Sequence, residues 1–357
     1  MFVILGLVTV ACTNQPRGTG TAAPTAAGTA ATRPSTGTSA PTPSGTRLPV
    51  GTAGPQTSGA NPFGVMLPQQ VANSAQGMSQ VKALGVTYYR TSQAIFTGRW
   101  DGTCAECDAA LQAGVKLVLT VRNGAGGIAP SGPPKDLEAY KKTLGEVLDK
   151  YHPEVLAVEN EENSAIFYTG TPEQYAVELK AACEVAHSRG VKCTNGGLVS
   201  ALVGLLVWDH YVAGGDAAQA QDYASRAFDS SQQRLLDSPQ ARAQIDKGKA
   251  LLDAYRTAGI DYLNFHWYIA DTGALEQSVA YLQAQAGVPV ITNEVGQFTD
   301  DPSQTKAVMQ ALVDLKIPIA VWFGLDGPKA KGLMDTNGTL RPTGQAFQEF
   351  IAQNFVN

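Results

Sequence analysis

Five polar residues, Glu159-Asn160-Glu161-Glu162-Asn163, follow directly on the apolar run Val155–Val158. A run that short, bounded by Pro153, is too brief for a helix and reads as a buried strand. Three carboxylates at its end repel one another, and burial raises the proton affinity of any that is desolvated. Taken alone, the segment reads equally well as a solvated strand-to-helix loop. A second acid in a matching context shifts the balance: Glu294 follows the buried run of VPVITNEVGQ, between Asn293 and Gly296. One protonated acid and one ionised carboxylate facing each other can donate a proton and attack a carbon or activate water.

The elements that must bring these acids together alternate along the chain. Strands are expected at Phe63–Met66, Val86–Arg90, Lys116–Val121, Val155–Asn160, Val191–Asn195, Asp261–Tyr268, Pro289–Thr292 and Pro318–Trp322. Helices are expected at Gln69–Leu84, Cys107–Ala113, Pro134–Tyr151, Pro172–Arg189, Leu275–Ala286, Pro302–Leu315 and Gly344–Phe355. Eight apolar strands, each followed by helical material, predict an α/β fold, a (β/α)8 TIM barrel. No glycine-rich phosphate loop follows an early strand, which argues against a doubly wound sheet. The rhythm breaks at Gly197–Gly259, a helical insertion after strand five, whose Trp208, His210 and Tyr211 are candidate subsite residues.

In such barrels the reactive groups gather at the C-terminal strand ends. Those ends carry Arg90, Asn123, Asn160 with Glu161, His266 with Tyr268, Glu294 and Trp322. Acids from strands four and seven face one another across one mouth, as glycoside hydrolysis requires. Strand alternation puts Glu159 and Glu161 on one face, with Glu159 lower in the barrel and paired with Arg122 or Arg90. Glu159 and Glu162 stay open as alternatives to Glu161. Trp267 has the opposite parity to His266 and Tyr268 and is expected to pack against helices.

This set resembles the clan A retaining glycoside hydrolases, closest to the cellulase-like family 5, with family 39 nearby. The resemblance runs from about Asn61 to Asn357, including the tail Leu333-Met334-Asp335-Thr336-Asn337-Gly338-Thr339-Leu340-Arg341-Pro342. Where family 5 has a His after strand three, this chain has Arg122-Asn123-Gly124. The resemblance implies cleavage of β-glycosidic bonds by double displacement, with Glu161 as acid/base and Glu294 as nucleophile. It further implies that Asn160 binds the sugar 2-hydroxyl and that Tyr268 and Arg90 hold Glu294 ionised. His266 would bind a hydroxyl and Trp322 would form the apolar floor under the sugar, with Asn123 also on the substrate. The alternative is a non-catalytic carbohydrate-binding barrel at the cell surface.

Composition narrows the partners. The first sixty residues hold three arginines and no acid, so the remainder, with 23 basic and 31 acidic residues, carries a net charge near −8. An acidic body without a basic stripe argues against nucleic acid and for a neutral ligand, and the resemblance implies a carbohydrate substrate. The four histidines, His152, His187, His210 and His266, form no HxH or HExxH spacing, so neither metal nor cofactor is expected. Residues 1–12 read as an export signal, and Thr9-Val10-Ala11-Cys12 resembles a lipobox whose Cys12 would be lipidated. Residues 13–60, rich in Thr, Ala, Gly, Pro and Ser, read as a disordered tether ahead of a catalytic domain over 61–357. An extracytoplasmic monomer is expected, touching a membrane only through its lipid anchor, or else simply secreted. Cys104, Cys107, Cys183 and Cys193 form an even set suited to two local disulfides.

Overall fold

The computed structural model describes residues 59–355 apart from 75, 128 and 325–329. The apolar N-terminal segment, Cys12 and the tether as far as residue 58 lie outside the described residues. Nine strands are present among the described residues: β1 (Phe63–Met66), β2 (Tyr88–Tyr89), β3 (Ile95–Phe96), β4 (Lys116–Arg122), β5 (Val155–Val158), β6 (Lys192–Asn195), β7 (Leu263–Trp267), β8 (Val290–Val295) and β9 (Ala320–Phe323). Eight of them pair in the order β6-β5-β4-β2-β1-β9-β8-β7, all parallel, and β3 adds to β4.

The two ends of that order meet through single parallel bridges, Thr194 to Tyr262 and Leu198 to Phe265. Side chains complete the seam: Asn195 Nδ2 donates to the Asn264 carbonyl at 2.9 Å, and the Asn264 amide donates to Asn195 Oδ1 at 2.7 Å. The fold is a (β/α)8 barrel, as the alternation of elements predicts.

Strands buried on both faces read as unbroken apolar runs because one face meets the barrel interior and the other the helices. Alternate residues divide accordingly. Met66, Val118, Val155, Ile291, Val321 and Phe323 form a small inner cluster with Tyr268. Val65, Leu117, Leu119, Leu156, Val158, Trp267 and Trp322 belong to the large cluster under the helices. This parity decides which strand residues can reach the mouth.

Four helices separate β6 from β7: Ser200–Ala213, Ala217–Ala227, Ser230–Gln233 and Pro239–Ala258. Their starts are local, with Asp216, Asp229 and Ser238 side chains capping the N-termini of the second, third and fourth. The expected helix Gln69–Leu84 is two, Gln69–Ala72 and Gly77–Ala83. Strand two is shorter than expected, although the Arg90 amide still donates to the Val65 carbonyl at 3.1 Å and holds Arg90 at its end. Both cysteine pairs are bridged, Cys104 to Cys107 and Cys183 to Cys193. The second ties the helix Pro172–His187 to β6.

Candidate active site

The strand ends β2, β5, β7 and β8 bring together Arg90, Asn160, Glu161, His266, Tyr268 and Glu294. Glu294 lies within β8, 2% exposed, and both its oxygens are engaged. Arg90 Nη1 donates to Oε2 at 2.8 Å and to the Asn293 carbonyl at 3.0 Å. The Tyr268 hydroxyl donates to Oε1 at 2.8 Å. Arg90 Nη2 reaches Asn160 Oδ1 at 2.8 Å, so one guanidinium joins the ends of β5 and β8. Glu106, beside the Cys104–Cys107 bridge, accepts from the Ser92 amide (2.7 Å) and hydroxyl (2.8 Å) and pins the loop after Arg90.

Glu161 faces Glu294 across His266. His266 Nδ1 lies 2.9 Å from Glu161 Oε1 and 3.7 Å from Glu294 Oε1. Its Nε2 meets Asn293 Oδ1 at 3.0 Å, an acceptor, so Nε2 carries a proton. Nδ1 and Glu161 Oε1 therefore share a proton, and Glu161 Oε2 has no protein partner. His266 was expected to bind a sugar hydroxyl, but both its nitrogens are used within the protein. Gly197 is needed beside it: at φ +111°, a Cβ there would stand 2.2 Å from Nε2.

The two acids are driven apart electrostatically. Burial pushes Glu161 above the ordinary carboxylate range, the Glu294 charge adds to this, and His266 and Arg90 oppose it only partly. Burial acts on Glu294 too, but His266, Arg90 and Tyr268 outweigh it and hold the carboxyl below its ordinary range. Burial lowers His266, yet Glu294 and Glu161 together raise it. An arrangement of this kind can keep one carboxylic acid beside one carboxylate at neutral pH.

The three glutamates of the β5 loop go to three places. Glu159 (φ +68°) and Glu161 (φ +44°) both have left-handed backbone, which ends the strand alternation at Val158. Glu159 is therefore not stacked beneath Glu161 on one face. It pairs with Arg122 (Nε to Oε2 3.3 Å), accepts the Asn123 amide at 2.5 Å, and couples to Glu178 of the helix Pro172–His187. Glu162 accepts from Asn195 Nδ2 at 2.9 Å and from the Tyr255 hydroxyl of the helix Pro239–Ala258. Glu161 alone of the three reaches Glu294.

Two expected substrate residues stand elsewhere. Trp322 is fully buried on the helix-facing side of β9, packed edge-on to Phe347 at 5.6 Å. Strand parity gives the barrel side to Val321 and Phe323, so Trp322 is no sugar floor. Trp267 packs outward beside Phe265, in keeping with its parity. Asn123 holds loops: its Nδ2 donates to the Gly132 carbonyl (2.7 Å) and its Oδ1 accepts from Thr97 (3.1 Å). Trp208 is core, and Tyr211 donates to Gln277. His210 borders a different pocket, beside Tyr281.

A cavity of about 600 Å³ opens from Glu161, His266 and Tyr268 toward the helices that follow β6. Phe228 and Phe298 line it, with Phe298 stacked on Tyr268 at 5.4 Å. Neither aromatic stood out in the sequence, since both lie in loops. Glu161, His266 and Glu294 also offer ligand atoms within 4.8 Å of one another, the one such group among the described residues. Arg90 and Tyr268 already occupy Glu294, so an ion would have to displace them.

Residues 213–347 match the family model described as glycosyl hydrolase catalytic core, a span that includes His266 and Glu294. No curated protein matches the sequence. Among solved structures, the chain is similar to a family 128 endo-β-1,3-glucanase from Sorangium cellulosum. That match has 14% identity, 82% of this chain, 99% of that chain and a TM-score of 0.51. It is also similar to a family 128 exo-β-1,3-glucanase from Aureobasidium namibiae, at 12% identity, 81% of this chain, 96% of that chain and a TM-score of 0.50. At these identities the likeness is one of fold. The family match thus covers residues 213–347, and the structural likeness shows a shared (β/α)8 barrel.

Proposed function

We propose that the protein is a retaining β-glycosidase acting on a neutral oligo- or polysaccharide, with Glu294 as nucleophile and Glu161 as acid/base. The observation that carries this is the unequal company of the two buried acids. Arg90 and Tyr268 engage both oxygens of Glu294 and help hold its proton affinity down, while burial holds that of Glu161 up and leaves one of its oxygens unpartnered. Glu294 attacks the anomeric carbon, and Glu161 passes its proton to the departing glycosidic oxygen. Water then enters, Glu161 takes one of its protons, and the bond to Glu294 breaks. Carboxylate oxygens within 4.8 Å favour this route over inversion, which needs about 6.5–9.5 Å between the acids to seat a water. Asn160, oriented by Arg90, offers its amide nitrogen to the sugar 2-hydroxyl.

The two disulfides and the apolar N-terminal segment support an exported enzyme, anchored if Cys12 is lipidated. β-1,3-Glucans head the substrate panel, because the two structurally similar enzymes are described as acting on them. The test is hydrolysis of a panel of β-glucans and aryl β-glycosides, with the product anomer followed by NMR at early times. Retention, together with azide rescue of Glu294→Ala, is expected. A product of inverted configuration would overturn the mechanism. Glycan binding without turnover would favour the carbohydrate-binding barrel instead.

A further inference from the structure

We propose that the cavity beside Glu161 binds the leaving portion of the substrate, with a sugar unit stacked on Phe298. This rests on Glu161 being the proton donor. The donor marks where the departing oxygen lies, and the nucleophile marks the opposite face of the retained sugar. Glu161 lines the cavity, whereas Glu294, Arg90 and Asn160 do not. The space therefore adjoins the acid directly and the nucleophile only through its partners His266 and Tyr268, which suits a departing group. Glu161 is thus the acid that a departing group held in this space would meet.

The walls have the chemistry of a sugar site. Phe298 is half-buried, with one face stacked on Tyr268 at an interplanar angle of 8°, and it lines the cavity. An aromatic surface suits the C–H face of a pyranose. Polar groups stand on the same wall. Thr299 donates to Gln304 Oε1 at 2.6 Å and the Asp229 amide to Gln232 Oε1 at 2.9 Å, so both glutamines keep an amide nitrogen for hydroxyls. A volume near 600 Å³ lies within the roughly 300–1,000 Å³ of sites that hold small ligands. Phe228 and Gln232 come from the helical segment between β6 and β7, which gives that segment a part in choosing the leaving group.

Phe298→Ala removes the stacking face. Ala270→Trp fills the cavity from an exposed position in its lining. Each variant is to be compared with wild type on two donors, the best oligosaccharide from the panel and the matching β-glycosyl fluoride. Fluoride is too small a leaving group to reach the cavity. Ala270→Trp is expected to lose roughly tenfold in kcat/KM on the oligosaccharide and to keep fluoride turnover, and Phe298→Ala, whose ring also supports Tyr268, to lose roughly tenfold more on the oligosaccharide than on the fluoride, the order of one lost aromatic contact. Equal losses on both donors, or no loss on either, would overturn the assignment. Wild-type protein that cleaves neither donor would overturn the glycosidase reading as well.

Discussion

Two pairs of buried carboxyls stand about one loop apart, and they behave differently. At the mouth, Glu161 and Glu294 are flanked by Arg90, His266 and Tyr268, which divide their attention unequally. Behind the barrel wall, Glu159 and Glu178 have one guanidinium, Arg122, on the Glu159 side and the Tyr168 hydroxyl on the Glu178 side. Burial dominates there, raising Glu159 to about 7 and Glu178 well above the carboxylate range. Arg122 itself lies over the rings of Phe96 and Phe167, at 5.0 and 5.6 Å, and donates to the Phe167 carbonyl at 2.6 Å. Burial that its partners do not outweigh raises both carboxyls of the outer pair. Burial with asymmetric partners makes an acid and a base, and only the second arrangement can run a two-step displacement.

The largest expected contrast is between the nucleophile and its counterpart in the outer pair. Glu294→Gln should cost on the order of 10⁴-fold or more in kcat, because no other group can form the bond to the sugar. Glu178→Gln should change kcat less than about threefold, within the effect of altered packing. Aryl glycoside kinetics on the two variants, run side by side, would break the comparison if the losses were alike.

Next in size is the proton donor. Glu161→Gln should cost about 10²–10⁴-fold on substrates whose leaving groups need a proton. The pH profile sharpens this further. Wild-type kcat/KM should fall at low pH as Glu294, held below the ordinary range, takes up a proton, and at high pH as Glu161, held above it, loses one. The alkaline limb should vanish in Glu161→Gln and persist in Glu159→Gln.

The smallest effect concerns stability. Glu159 has its folded-state proton affinity raised from 4.5 to about 7, so its contribution is complete below pH 4.5 and is lost as pH rises through 7. Between pH 5 and 8 this group alone should lower the unfolding free energy by on the order of 2 kcal/mol. Glu159→Gln, which cannot ionise, should flatten that slope in denaturant titrations at the two pH values. A slope unchanged from wild type would mean that Arg122 keeps Glu159 ionised in the fold.

Much of this was legible in the chain. Pro-bounded apolar runs locate the strands, and their C-terminal ends name Arg90, Asn160, Glu161, His266, Tyr268 and Glu294, because a parallel barrel collects such ends at one mouth. The same period-of-two reasoning that turns Trp267 outward applies to Trp322, whose neighbours Val321 and Phe323 take the interior. Asn123 misled because a polar residue at a strand end has the same sequence signature whether it meets a ligand or ties a loop.

The alternation of elements, the order of the strands and the presence of two acids on facing strands thus follow from local pattern, since side-chain period and strand ends are properties of neighbouring residues. Which of three glutamates meets Glu294 was decided only in three dimensions. Left-handed backbone at Glu159 and Glu161 cancels strand parity, and each carboxyl then turns to whatever long-range partner is within reach. Those partners, Arg122 with Glu178, His266, and Asn195 with Tyr255, lie 19 to 105 residues away in the chain. No spacing rule joins them; packing does.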